Sequence, residues 1–88
     1  MLEKKVRVQN KLGLHARPAA LLVKTANKFK ADVFLTRESQ VVNGKSIMGV
    51  MMLAANYGSE ITLSVKGEDE ESALTELSNL FDSKFGEQ

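Results

Sequence analysis

The sequence contains no cysteine and no tryptophan, and its 88 residues include one proline, one histidine and one tyrosine. Without cysteine the chain can form neither a disulfide nor a thiolate metal site, so a domain of this size must be stabilised by packing alone. Small secreted domains commonly depend on disulfides, whereas proteins of a reducing compartment do not. The absence therefore favours the cytosol, and we expect a cytoplasmic protein.

No sign of charge dominates, since 12 Lys and Arg residues oppose 11 Asp and Glu residues for a net charge of +1. Nucleic-acid-binding domains usually carry a basic excess on one face, so we expect no nucleic-acid partner. The one acidic run, 68–71, comes without histidine or cysteine nearby and indicates favourable charge at a helix start rather than a metal site. We therefore expect no metal and no cofactor.

Long hydrophobic runs are also missing. The longest apolar stretch, 47–55, is far too short to span a bilayer, and the residues after Met1 alternate in polarity instead of forming an apolar signal-peptide core. A chain of 88 residues accommodates one compact domain, here expected to span 1–88, but no deep substrate cavity. These limits favour a module that acts at its surface, and they argue against an enzyme.

Hydrophobic periodicity predicts the order β-α-β-β-α-β-α. Alternating residues indicate strands near 2–8, 32–36, 40–43 and 60–66, and apolar stripes indicate helices near 16–27, 47–55 and 69–84. Phe29 and Phe34 are expected in the core or at its edge. Half-apolar strands combined with striped helices indicate an α+β domain with helices on one face of a four-stranded sheet. A split βαβ arrangement would put the last strand between the first two.

The single histidine, His15, lies in a segment with four features suited to phosphate chemistry. Gly13 lets the backbone turn sharply, and the helix predicted to begin at Ala16 offers the free N–H groups of Ala16 and Arg17. The Arg17 guanidinium matches phosphate geometry, and the positive end of the helix favours the neutral, nucleophilic imidazole. Because the chain lacks an ATP-binding glycine loop, the phosphoryl group of His15 must come from a partner protein.

A second segment of interest begins at Ser46, a suitable N-cap for the helix near 47–55. A phosphate on this serine would meet the positive end of the helix and add negative charge to the surface without unfolding it. The following residues Ile47, Met48, Met51 and Met52 form an apolar run that covers more than one helical face. Flexible methionine side chains suit a surface that meets several partners. Val50 and Leu53 are expected to face the core.

Two motifs resemble signatures of one known family. The segment Asn10-Lys11-Leu12-Gly13-Leu14-His15-Ala16-Arg17-Pro18-Ala19 resembles the phosphohistidine signature of the HPr family, the phosphocarriers of the bacterial phosphoenolpyruvate-dependent sugar phosphotransferase system. The segment Lys45-Ser46-Ile47-Met48-Gly49 resembles the regulatory serine signature of the same family. The spacing of the two motifs and the order of the elements match as well, so the resemblance extends over essentially the whole chain.

The resemblance implies an open-faced β-sandwich, in which three helices cover one face of an antiparallel sheet. It implies that enzyme I phosphorylates His15 at Nδ1, that Arg17 neutralises the phosphate, and that sugar-specific IIA components receive it. It also implies that an HPr kinase/phosphorylase modifies Ser46, which slows transfer and in some bacteria creates a ligand for a catabolite-control repressor. Ile47, Met48 and Met51 would belong to the shared docking surface. The carrier itself would not be an enzyme, and because nothing in the sequence demands more than a monomer, we expect a monomer.

One departure from the family pattern concerns Leu12, where many members have a small polar residue that helps to orient the histidine or cap the helix. Leucine cannot do this, so we expect backbone groups or the phosphate itself to orient His15. Lys11-Leu12 also resembles the nitrogen-related paralogues, which suggests a regulatory phosphorelay carrier as the alternative function. A pure interaction domain built around Ser46 is a third hypothesis.

Overall fold

The computed structural model describes residues 1–87. Its elements are β1 (Leu2–Arg7), α1 (Ala16–Ala26), β2 (Asp32–Arg37), β3 (Gln40–Asn43), α2 (Ile47–Met52), β4 (Glu60–Lys66) and α3 (Glu70–Asp82), followed by a 3₁₀ turn at Lys84–Gly86. The predicted order of elements is confirmed. No helix in this described part of the chain is long and apolar enough to cross a membrane.

The four strands form one antiparallel sheet in the order β1-β4-β2-β3. β4 lies between β1 and β2, as the split βαβ prediction required. Ile61 of β4 pairs with Val6 of β1, and Leu63 pairs with Leu35 of β2. Because side chains alternate along each strand, this register puts all four of these residues on the face that the helices cover. The fold is therefore the expected open-faced β-sandwich.

The core lies between the sheet and the apolar stripes of the helices. In α1 the predicted stripe is buried along its whole length, and in α3 the inward residues Ala73, Leu77 and Phe81 are completely inaccessible to solvent. α2 contributes Val50, with Leu53 just beyond its end, and both are fully buried as expected. α1 packs against both α2 and α3, and its buried side chains join the same core, which fixes the start of α1, where His15 lies.

Three local predictions were wrong. α2 ends at Met52 instead of 55, because the chain leaves the helix at Ala54, whose φ is 49°. α3 ends at Asp82, and the chain continues into the 3₁₀ turn. Phe34 lies on the open face of the sheet, 40% exposed, since its neighbours Val33 and Leu35 in β2 take the two inward positions.

The acidic run does stand at the start of α3, but Asp69 has a second task. Its carboxylate accepts hydrogen bonds of 2.9 Å from the backbone N–H groups of Lys30 and Ala31. The bond from Lys30 outweighs desolvation and, with the bond from Ala31, lowers the pKa of Asp69. Asp69 therefore joins the start of α3 to the chain entering β2.

Candidate functional site

The loop that carries His15 is held in shape by backbone contacts around Gly13. Gly13 has a φ of 71°, and a Cβ atom at this position would lie 2.6 Å from the carbonyl oxygen of Ala55. The next residue, Leu14, donates its N–H to the same oxygen at 2.9 Å. Only glycine allows the two segments to approach so closely in this conformation. The loop is thereby fixed to the chain that follows α2.

His15 occupies the N-cap position of α1, as predicted, with extended backbone (φ −75°, ψ −173°). Its carbonyl oxygen accepts the first helical hydrogen bond, from the N–H of Ala19 at 3.0 Å. The N–H groups of Ala16 and Arg17 precede that bond and have no acceptor within the helix, so they are directed out of its positive end. Pro18 follows in the first turn, where its missing N–H costs no helical bond.

The imidazole of His15 contacts a residue from the far end of the sequence. Its Nε2 atom lies 3.0 Å from Oε2 and 3.2 Å from Oε1 of Glu87, which is 72 positions away. The buried side chain of Asn10 donates from Nδ2 to Glu87 Oε1 at 3.0 Å and to the carbonyl oxygen of Gly13 at 2.6 Å. The carboxylate is thus held by the ring on one side and by Asn10 on the other.

The charge of Glu87 determines which ring nitrogen of His15 carries the proton. Burial alone would raise the pKa of Glu87, but hydrogen bonds from His15 and Asn10, together with the charge of Arg17 and that of His15 when its ring is protonated, lower it below its ordinary value of 4.5. Glu87 is therefore ionised at neutral pH and can only accept hydrogen bonds. It follows that Nε2 of His15 carries the hydrogen and that a neutral ring has its lone pair on Nδ1.

Two of these residues were not found from the sequence. Asn10 begins the segment that resembles the phosphohistidine signature but had no predicted role of its own, and Glu87 lies outside both motifs. Backbone groups or the phosphate itself were expected to orient His15 because Leu12 cannot, and the structure adds a side-chain contact to the ring, from the Glu87 carboxylate. No local signal could reveal this contact, since it joins the two ends of the chain.

Ser46 is the N-cap of α2, as predicted. Its Oγ accepts a hydrogen bond from the N–H of Gly49 at 3.1 Å, and its carbonyl oxygen accepts one from Val50 at 3.0 Å. A Cβ atom at Gly49 would lie 3.1 Å from the carbonyl oxygen of Asn43 and 3.4 Å from the Ser46 side chain. Glycine at this position therefore leaves the space around the hydroxyl open.

Beside Ser46, α2 presents apolar side chains to solvent. Ile47 is 45% exposed, Met48 75% and Met51 43%. Met52 of the same helix and Leu12 of the histidine loop are also exposed. We call these five residues the apolar surface. Leu12 lies three positions before His15, and the loop that carries both is bonded to the chain after α2, so the apolar surface includes the histidine loop.

Fold and site together define a class of small α+β domains that expose a single histidine at a helix start instead of enclosing it in a cavity. A family model described as "PTS HPr component phosphorylation site" matches residues 2–83. The chain belongs to the HPr family of phosphocarrier proteins.

Similar proteins agree with this family. The phosphocarrier protein HPr of Treponema pallidum is 51% identical over the full length of both chains. The HPr-like protein Crh of Bacillus subtilis is 54% identical and covers 88% of this chain, which in turn covers 91% of Crh. Among solved structures, HPr-C-His from Thermoanaerobacter tengcongensis superposes with a TM-score of 0.96 at 48% identity, covering 100% of this chain and 99% of its own.

Proposed function

We propose that this protein accepts a phosphoryl group on Nδ1 of His15 from phosphorylated enzyme I and donates it to sugar-specific IIA components. The observation that carries the proposal is the 3.0 Å contact between His15 Nε2 and Glu87 Oε2, because an ionised carboxylate at Nε2 leaves Nδ1 as the nitrogen with a free lone pair. The position of His15 at the positive end of α1 adds N–H groups that suit a phosphate.

The transfer balances without any further reactant. The lone pair of His15 Nδ1 attacks the phosphorus, and the bond between phosphorus and enzyme I breaks as its electron pair returns to the atom of enzyme I that carried the group. The three phosphoryl oxygens move with the phosphorus, and Arg17 with the N–H groups of Ala16 and Arg17 offset their charge. The same steps in reverse order pass the group to a IIA component. The protein is a carrier in this scheme, since each turnover modifies it.

Intact-mass spectrometry after incubation with enzyme I and phosphoenolpyruvate tests the proposal. We expect one added phosphate that survives alkali and is lost in acid, and we expect none in His15→Ala. Because no other histidine is present, the substitution should abolish labelling completely. The absence of labelling of the unsubstituted protein by its cognate enzyme I would refute the proposal.

We further propose that phosphorylation of Ser46 regulates the carrier, through an HPr kinase/phosphorylase and, in cells that have one, a catabolite-control repressor. The support is structural compatibility: the hydroxyl caps the positive end of α2 and borders the apolar surface. A phosphate there would be tolerated by the helix and would put charge where partners dock through Ile47, Met48 and Met51.

Ser46→Asp, which adds one negative charge, should slow phosphoryl transfer from enzyme I by about tenfold, because charge placed at an interface mainly lowers the association rate. Stopped-flow or quench-flow transfer rates at two salt concentrations measure the effect, which should weaken at the higher salt. Ser72→Asp, an exposed serine in the first turn of α3, is the matched control. Equal rates for the two variants would show that the position of the charge is immaterial.

Lys11-Leu12 supports one alternative, a regulatory phosphorelay carrier that is not coupled to sugar uptake. Both functions predict phosphate on His15, but only the sugar carrier restores sugar uptake in a strain that lacks its own carrier. Labelling by a nitrogen-branch enzyme I without such restoration would favour the alternative.

We also propose that residues 1–88 act as one cytoplasmic domain and as a monomer. Three of the similar structures are described as dimers, one of HPr from T. tengcongensis and two of Crh. Light scattering across a concentration series, with and without phosphorylation, tests the monomer.

A further inference from the structure

The chain takes an unusual backbone path immediately before Glu87. Lys84, Phe85 and Gly86 have φ values of 57°, 55° and 74°, so three successive residues are left-handed and two of them are not glycine. Such conformations are unfavourable for side chains with a Cβ atom and persist only where the surroundings enforce them. Contacts with the rest of the protein must therefore hold this turn in its strained conformation.

Packing of Phe85 enforces the turn. Its ring is 6% exposed and meets the fully buried ring of Phe81 edge to face, with 4.9 Å between the ring centres. This contact anchors the turn on the last part of α3, and the turn then directs Glu87 back across the molecule toward α1.

Asn10 completes the arrangement from the other side. Its side chain is fully buried, and its Nδ2 group joins Glu87 Oε1 to the carbonyl oxygen of Gly13. The carboxylate is thus positioned by Phe85 through the backbone and by Asn10 through a hydrogen bond. Both contacts hold it against Nε2 of His15.

We propose that Glu87 is a positioning residue for phosphoryl transfer: its carboxylate keeps the hydrogen of His15 on Nε2 and balances the positive charge that the ring acquires when Nδ1 bonds to phosphorus. The charge-balance part of this proposal rests on the proposed function, whereas the tautomer part does not. The tautomer of His15 is a property of the unphosphorylated protein and can be tested without any partner.

The charge balance follows from the electrons of the ring. A neutral imidazole that gives its Nδ1 lone pair to phosphorus and retains the hydrogen on Nε2 becomes formally cationic. The Glu87 carboxylate faces that N–H and forms a charge-assisted hydrogen bond with it, which is stronger than the bond to a neutral ring. The cationic ring is also a better leaving group for the onward transfer, because it departs as a neutral imidazole.

Nitrogen-15 NMR of the imidazole directly tests whether Glu87 keeps the hydrogen of His15 on Nε2. In the unsubstituted protein, neutral His15 should be almost entirely in the form protonated on Nε2, whereas Glu87→Ala should show a mixture of both tautomers. Glu76→Gln removes an equal charge from an exposed position on α3 and should leave the tautomer unchanged. An identical tautomer ratio in the unsubstituted protein and in Glu87→Ala would overturn the positioning role.

Transfer kinetics with Glu87→Gln test whether the charge of Glu87 balances the positive charge of the phosphorylated ring. The amide keeps the shape and a hydrogen-bond acceptor but lacks the charge, so the tautomer should be retained while transfer from enzyme I slows about tenfold. Glu76→Gln should transfer at the unsubstituted rate. An unchanged rate in Glu87→Gln would overturn charge balance. Failure of the unsubstituted protein to be phosphorylated would overturn both the charge balance and the proposed function, while the tautomer measurement would still decide the positioning role.

Discussion

Arg17→Ala is expected to slow phosphoryl transfer between enzyme I and His15 by about a hundredfold, the lower end of the range for removing one charge-stabilising donor, because Arg17 is exposed to solvent. In the transition state, negative charge spreads over the phosphoryl oxygens. The N–H groups at the start of α1 can offset only part of this charge. Arg17 is the cation nearest to them in sequence, and its charge already acts on Glu87.

Two variants separate the charge of Arg17 from its geometry. Arg17→Lys keeps the charge but loses the paired hydrogen bonds of a guanidinium, so its rate should fall between those of the unsubstituted protein and Arg17→Ala. Lys24→Ala removes an exposed cation from the last turn of the same helix and should have little effect. Quench-flow rates at constant ionic strength measure all three, and a similar loss in Lys24→Ala would reduce the role of Arg17 to general surface charge.

The residues of this site that lie close together in the sequence could be predicted from the sequence alone. Gly13, His15 and Arg17 lie within five consecutive positions, and the chemistry of a helix start can be inferred from such a segment without knowledge of the fold. The N-cap role of Ser46 follows from the same kind of reasoning and was also correct. Sheet order could be predicted because connection rules leave few arrangements of four strands.

The missed element is the one that depends on tertiary structure. Glu87 reaches His15 from a turn in which Phe85 packs on Phe81, and neither the strained turn nor the packing has a local signature. The end of α2 was misplaced for a similar reason. Ala54 adopts a left-handed conformation that alanine rarely takes by itself, so its cause lies in the surrounding contacts of the chain.

The phenylalanines show the same limit, because Phe34 was expected in the core or at its edge and lies on the open face of the sheet. Strand periodicity gives two alternating faces but does not say which face the helices cover when both carry apolar residues. Phe81, by contrast, belongs to a helical stripe that has only one apolar face and is fully buried. The two rings therefore form a natural pair for measuring what burial contributes here.

Phe81→Ala should lower the free energy of unfolding by about 3–5 kcal/mol, the usual cost of emptying a phenylalanine site in a core. An 88-residue domain has a total stability of roughly 4–13 kcal/mol, so this single change could remove most of it. Phe34→Ala makes the same change at a ring that is 40% exposed and should cost about 1 kcal/mol or less. Urea unfolding followed by circular dichroism measures both.

The effect of Phe81→Ala should extend to the site, because the ring it removes is the support of Phe85 and therefore of Glu87. Under conditions where the variant remains folded, its His15 should show the mixed tautomers expected for Glu87→Ala, while Phe34→Ala should retain the form protonated on Nε2. If Phe81→Ala is too unstable to examine, Phe85→Ala abolishes the same ring contact by removing the other, more exposed ring. An unaltered tautomer in a folded variant lacking either ring would mean that Glu87 is held in place without the aromatic anchor.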